Sequence, residues 1–327
     1  MKRFATIVAG SLILLLATAV VYVGLILPRT APPADIEIVS TPELVERGRY
    51  LAEHVILCND CHSERDWTQY GGPPMPPIGA GRACMTRQTA VAGIMTSESN
   101  FPGVLCIRNI TSDKDTGIGN WTAGEIIRSM REGIGRDGRA LFPIMPYFIF
   151  KDISDEDSAA IVAYMRALPP VRAERADRDI DFPMNVLIRL WPEPLTDPVP
   201  TPDRADSIAW GAYLTAIGRC SFCHTPRAGR GIAGITGKEF AGGVPFAIGS
   251  KVMYSKNLTP HATGIGNWTR EAFIARFKAY SEPLTVAPED NTLMDWNAYA
   301  GMTEADLSAI YDYLQSLPPV EFVKQEL

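Results

Sequence analysis

The hydrophobic and polar positions divide the chain into two regimes. Between Phe4 and Leu27 the residues are uncharged and mostly apolar, a run long enough to cross a bilayer as a helix of roughly 20 residues, and Lys2 and Arg3 precede it. The run outlasts the short apolar core of a cleaved signal peptide, so residues 1–29 are predicted to be a membrane anchor or signal-anchor. The two leading cations favour a cytoplasmic N-terminus, with Arg29 on the far side weakening the bias. Thr30 to Ser40, with Pro32 and Pro33, carries neither a helical nor a strand period and reads as a spacer.

Beyond the spacer the elements announce themselves by their ends. Thr41-Pro42-Glu43 and Thr201-Pro202-Asp203 each offer a capping hydroxyl followed by proline at the first helical position. Thr122 with Glu125 opens a further helix, and Thr269 opens its counterpart. Ser154 with Asp157, and Thr303 with Asp306, set a hydroxyl three residues before a carboxylate ahead of two helices that end at double prolines. No alternating pattern of useful length appears, so the expected fold class is all-α, with long irregular loops.

The same blocks occur twice in one order. Gly48 to Leu51 is echoed by Gly211 to Leu214, Cys58-Asn59-Asp60-Cys61-His62 by Cys220-Ser221-Phe222-Cys223-His224, and Asn109-Ile110-Thr111 by Asn257-Leu258-Thr259. Thr116 to Thr122 returns as Thr263 to Thr269, and Leu168 to Val171 as Leu317 to Val320. A duplicated domain follows. The first copy is placed at 41–171 and the second at 201–320, joined by 172–200, whose stretch Phe182 to Trp191 is too apolar for a free linker and is expected to pack. A length of 327 residues suits two compact domains. The formal net charge of −6 offers no phosphate-neutralising surface, and nucleic acid is excluded as a partner.

Cys-x-x-Cys-His is the attachment signature of c-type haem. Positions i, i+3 and i+4 share one helix face, so two thiols can form thioethers to the porphyrin while the histidine meets the iron. The candidates are Cys58, Cys61 and His62, then Cys220, Cys223 and His224. A zinc site would need four tetrahedral ligands, and a redox dithiol a βαβ context. An electron-carrying iron needs a sixth ligand as well, and a methionine thioether is the usual one. Met145 and Met294 each stand nine residues before the hydroxyl that caps the last helix of their repeat. They are the candidate axial ligands, Met145 framed by Pro143 and Pro146, Met294 by Thr292 and Asp295 instead. His54 and His261 occupy non-equivalent positions and are not expected to be ligands.

Cys84 and Cys106 have no counterparts in the second repeat. His62 and Asn109 are 47 positions apart where His224 and Asn257 are 33, so the pair brackets an insertion, and a disulfide is expected there.

With these motifs, and strings such as Asn257-Leu258-Thr259-Pro260, Met145-Pro146-Tyr147 and Phe182-Pro183-Met184-Asn185, the chain resembles diheme bacterial cytochrome c, akin to the cytochrome subunits of membrane-associated alcohol, gluconate and aldehyde dehydrogenases. The resemblance implies two tandem cytochrome c-like domains after the N-terminal helix and two covalent haem c groups. It also implies redox partners: a dehydrogenase or quinol donor, and an oxidase or other acceptor. Dehydrogenase subunits of this kind often carry three haems, whereas this chain has two attachment motifs. Together with the predicted anchor, the reading is a single-pass protein of the cytoplasmic membrane with both haem domains in the periplasm. Electron transfer is the leading function; a diheme redox enzyme, peroxidase-like or thiosulfate-oxidising, is the alternative and would need an exchangeable sixth ligand.

Overall fold

The computed structural model describes residues 2–86, 101–228, 233–248 and 251–325. Most of the insertion between Cys84 and Cys106 lies outside the described residues. The chain forms two compact units, each gathered from separate stretches.

The first unit comprises Met1–Glu37, Trp121–Lys151 and Ile180–Asp197. Its helices are α1 (Lys2–Val21), α4 (Ala123–Arg131), α5 (Tyr147–Phe150) and α7 (Met184–Leu187). Thr122 caps α4 through a reciprocal capping box with Glu125, as expected from the sequence. The buried Arg128 side chain donates to Ala31 O at 3.2 Å and Gly135 O at 2.9 Å, tying the spacer to this helix. Of the apolar joint, Ile180 and Ile188 are buried, but Phe182 is 80 % exposed, so only part of it packs as expected.

The membrane span is corrected here. Among the described residues no helix is long and apolar enough to cross a membrane. The α-helical part of the run ends at Val21, Tyr22–Ile26 continues as a π-helical turn, and Leu27 is extended and buried. The single-pass localisation that rested on a continuous span from Phe4 to Leu27 falls with it.

The second unit comprises Ile38–Asn120, Asp152–Asp179 and Pro198–Leu327. It holds α2 (Pro42–His54), α3 (Cys58–His62), α6 (Asp155–Ala167), α8 (Ser207–Ile217), α9 (Cys220–His224), α10 (Arg270–Lys278), α11 (Trp296–Ala300) and α12 (Glu304–Ser316). In each repeat the first long helix crosses the last one at a glycine. A Cβ at Gly48 would lie 1.9 Å from Ala160 O, and one at Gly211 1.9 Å from Ala309 O, so only glycine permits so close an approach.

The all-α expectation is also corrected, since short strands are present: β1 (Arg82–Met85) pairs antiparallel with β2 (Gly103–Ile107), β3 is Asp179–Ile180, and β4 (Pro245–Ile248) pairs antiparallel with β5 (Lys251–Tyr254). Strands of two to five residues are too short to display a period of two. Cys84 and Cys106 lie opposite each other on β1 and β2 and form the expected disulfide. The expected caps hold at Thr41, Ser154, Thr269 and Thr303. They fail at Thr201, because α8 begins six residues later, where Asp206 accepts from Ile208 N and Ala209 N.

The two repeats share one polar network. Asp157 accepts from both forks of Arg47 of its own repeat at 2.9 Å and from the Tyr213 hydroxyl of the other repeat at 2.7 Å. At the matching positions Asp306 accepts from Trp210 Nε1 of its own repeat at 2.7 Å and from the Tyr50 hydroxyl of the other at 2.5 Å. Each tyrosine oxygen also accepts a backbone N–H at the start of the opposite closing helix, Ser154 N for Tyr213 and Thr303 N for Tyr50.

Candidate functional site

Each Cys-x-x-Cys-His segment is a one-turn helix entered through a left-handed residue, Leu57 at φ 59° and Arg219 at φ 62°. Neither is glycine, and backbone in that region persists where surrounding structure enforces it, commonly at functional sites. The four cysteines Cys58, Cys61, Cys220 and Cys223 are free thiols. Burial pushes the Cys58 and Cys220 thiols up to about 12 and raises Cys223 too. For those three thiols burial disfavours the free thiolate that a reactive dithiol requires. Among the described residues no group of three or more His, Cys, Asp and Glu is arranged to hold a metal ion by itself.

Both histidines are locked in the same way. His62 Nδ1 donates to Arg108 O at 2.8 Å, and His224 Nδ1 donates to Lys256 O at 2.7 Å. With the proton committed to Nδ1, the Nε2 lone pair is left for a metal. Burial lowers the pKa of both rings, against the backbone bonds that raise it, and so favours the neutral, ligating form. Gly81 N donates to His62 O and Gly242 N to His224 O, both at 2.7 Å.

The accepting carbonyls stand one residue before Asn109 and Asn257. Asn109 Nδ2 donates to Val171 O and Asn257 Nδ2 to Val320 O, both at 2.7 Å, while each Oδ1 accepts from the threonine two residues on. From the sequence, the Asn-x-Thr and Leu-Pro-Pro-Val blocks read only as marks of duplication. In the fold they bind each other and hold the carbonyl that orients the histidine.

The methionines sit in equivalent turns. Tyr147 N donates to Met145 O and Trp296 N to Met294 O, both at 2.8 Å, each just ahead of a short helix. Met294 lies in the same compact unit as all six Cys and His positions, and Met145 belongs to the other unit. Both side chains are half-buried. Two further methionines of the second repeat differ in exposure: Met302 is buried and Met253 lies exposed on β5. His54 Nδ1 is engaged by Ala298 O at 2.9 Å, and His261 Nδ1 by its own turn at Thr263.

Near the first motif lies a buried charge cluster that sequence reasoning missed. Asp60, inside the Cys-x-x-Cys spacer, is 2 % exposed and 3.7 Å from Arg65. Arg65 also pairs with Asp295, beside Met294. The residues are 230 positions apart, and no local pattern signals the pairing.

Paired thiols one turn apart, followed by a neutral imidazole with only Nε2 to offer, are the donor set of a covalent c-type haem, and the chain builds it twice. No family model matches the chain. It is similar to a nicotinate dehydrogenase subunit of Pseudomonas putida, 30 % identical over 319 residues covering 95 % of this chain and 24 % of that protein. It is 34 % identical over 293 residues to the cytochrome c subunit of the quinone-dependent alcohol dehydrogenase of Gluconacetobacter polyoxogenes, covering 85 % of this chain and 56 % of that one. A diheme cytochrome c-type protein of Cereibacter sphaeroides is 29 % identical over 234 residues, 67 % of this chain and 73 % of that one. The resemblance to diheme bacterial cytochrome c and to the cytochrome c subunits of dehydrogenases therefore stands. The chain spans about a quarter of the first of these relatives and little over half of the second.

Proposed function

We propose that this chain is a diheme c-type cytochrome that relays electrons between a dehydrogenase or quinol donor and a further acceptor. One haem c is held by Cys58, Cys61, His62 and Met145 in the repeat 41–171, and the other by Cys220, Cys223, His224 and Met294 in the repeat 201–320. The observation that carries the reading is the doubled histidine lock, Nδ1 bound to a main-chain carbonyl beside two free thiols. Haem supplies the one-electron chemistry. The chain's own residues attach it, orient each imidazole through the Arg108 and Lys256 carbonyls, and surround the attachment helices with buried apolar side chains such as Ile56, Leu57, Leu214 and Ile217. The dehydrogenase partner is suggested by what the relatives are named for.

Protein produced with a haem-c maturation system should gain the mass of two haems that acid-acetone does not extract. Cys58→Ala with Cys61→Ala should leave one, and so should Cys220→Ala with Cys223→Ala. A wild-type chain carrying a single haem would refute the diheme reading.

A further inference from the structure

The segment that carries Met294 is held by the other repeat. Asn291 is 3 % exposed and makes three hydrogen bonds to the backbone of residues 67–71: its Oδ1 accepts from Gly71 N at 2.9 Å, and its Nδ2 donates to Trp67 O at 2.8 Å and Gln69 O at 3.0 Å. Main chain joins main chain just upstream, with Tyr70 N donating to Leu284 O at 2.7 Å and Val286 N to Thr68 O at 3.1 Å. The rings of Tyr70 and Tyr280 stack with centroids 5.2 Å apart. Arg65 closes the arrangement, donating to Gly71 O, Gly72 O and Asp295 at once.

The two methionine loops differ in what replaces what. Pro143 and Pro146 flank Met145; at the matching places beside Met294 stand Thr292 and Asp295. Thr292 Oγ1 accepts from Met294 N at 3.1 Å, and Asp295 takes the Arg65 guanidinium. The stiffness lost with the prolines is replaced by contacts reaching from the first repeat. The position equivalent to Arg65 in the second repeat is Arg227, which instead donates to Phe222 O at 3.1 Å within its own motif. The two equivalent arginines are therefore put to different use.

We propose that Arg65 and Asn291 are positioning residues for Met294, so that the sixth ligand of the second haem is kept in place by the first repeat. The inference rests on Met294 being that ligand. Its geometry is tight: a Cβ at Gly71, where φ is +77°, would stand 3.2 Å from Met294 O, so Gly71 lies directly against the ligand's own backbone. Loosening the clamp leaves the thioether free to swing off the iron while the attachment cysteines and His224 stay in place.

The test uses the full haem-loaded chain. Met294→Ala, Arg65→Gln, Asn291→Ala and Gly71→Ala are compared by the near-infrared band of ferric iron–thioether bonding, by carbon monoxide binding to the dithionite-reduced protein, and by redox titration. Met294→Ala should lose half of the band, bind one carbon monoxide per chain and lower one of the two potentials. Arg65→Gln and Asn291→Ala should shift all three readouts the same way, with Arg65→Lys between them and wild type, since lysine keeps the charge but not the planar fork. If Arg65→Gln fails to accumulate, Asn291→Ala and Gly71→Ala, which bury no orphaned charge, carry the test. Unchanged spectra in Met294→Ala would overturn the ligand assignment and the proposal with it. An opened haem in Met294→Ala but wild-type spectra in Asn291→Ala and Gly71→Ala would overturn the proposal alone.

Discussion

Replacing Tyr213 by Phe removes one oxygen from the network shared by the repeats and leaves the ring volume in place. Tyr213 is 7 % exposed. Its hydroxyl donates to the Asp157 carboxylate at 2.7 Å and accepts from Ser154 N at 3.2 Å. A hydrogen bond to a charged group contributes about 1.5–3 kcal/mol, and a buried N–H left without its acceptor costs about 1–3 kcal/mol. The contributions overlap because Asp157 keeps its bidentate Arg47, so a net loss of about 2–4 kcal/mol is expected. Urea unfolding of the haem-loaded protein, followed by far-ultraviolet circular dichroism, measures it as a shift in midpoint at constant slope. Tyr50→Phe removes the matching hydroxyl from a half-buried position and should lose less. In a double-mutant cycle with Asp157→Asn, the Tyr213 and Asp157 substitutions should couple by about 1 kcal/mol or more. A loss under about 0.5 kcal/mol, or no coupling, would mean that the network is decorative and the reasoning wrong.

Other expectations follow from the same contacts. Burial raises the Tyr50 and Tyr213 hydroxyls above their usual value of 10.0, and the facing aspartates raise them further. Their contribution is therefore complete below pH 10 and is lost as pH climbs above it, so Tyr213→Phe should flatten the alkaline fall in stability. Gly48→Ala and Gly211→Ala each drive a methyl group into a backbone carbonyl 1.9 Å away and should destabilise by about 3 kcal/mol, read as a lower melting temperature and poorer haem yield. Non-reducing peptide mapping should recover Cys84 joined to Cys106; opening this link, which spans 22 positions, should lower stability by about 3 kcal/mol, and two freely alkylated thiols in the native protein would contradict it.

What could be read in advance was chemistry written in adjacent residues. The Cys-x-x-Cys-His segments fold as one-turn helices, and Thr41, Thr122, Ser154, Thr269 and Thr303 cap the helices they were expected to cap, because a cap is decided within four residues. Thr201 misled because Asp206 offers the same service closer to the apolar start of α8, leaving the Thr201 hydroxyl to bond Ser154 and Glu156. Asp157 and Asp306 looked like capping-box carboxylates but are spent on Arg47, Trp210 and the two tyrosines, partners up to 256 positions away. The strands were invisible because register across a hairpin, not periodicity along it, creates them. The apolar run misled because composition alone does not say where a helix stops. Nothing near Met294 hinted that Asp295, polar where the first repeat has proline, would be anchored by Arg65, or that Thr292 would accept from Met294 N.

The crossed tyrosines carry a consequence for how such a chain could arise. Each aspartate is completed by the hydroxyl of the other copy, and the exchange is reciprocal: Tyr50 goes to Asp306 while Tyr213 goes to Asp157. That is the contact pattern of an isologous dimer, in which one surface recognises itself. A single-repeat ancestor would satisfy its buried carboxylate by pairing with an identical partner, and fusion of two such genes would preserve the pairing while removing its dependence on concentration. Once the halves were covalently joined they were free to diverge. Arg47 where the second copy has Trp210, and Pro143 and Pro146 where it has Thr292 and Asp295, are differences that a symmetric pair of identical chains could not hold.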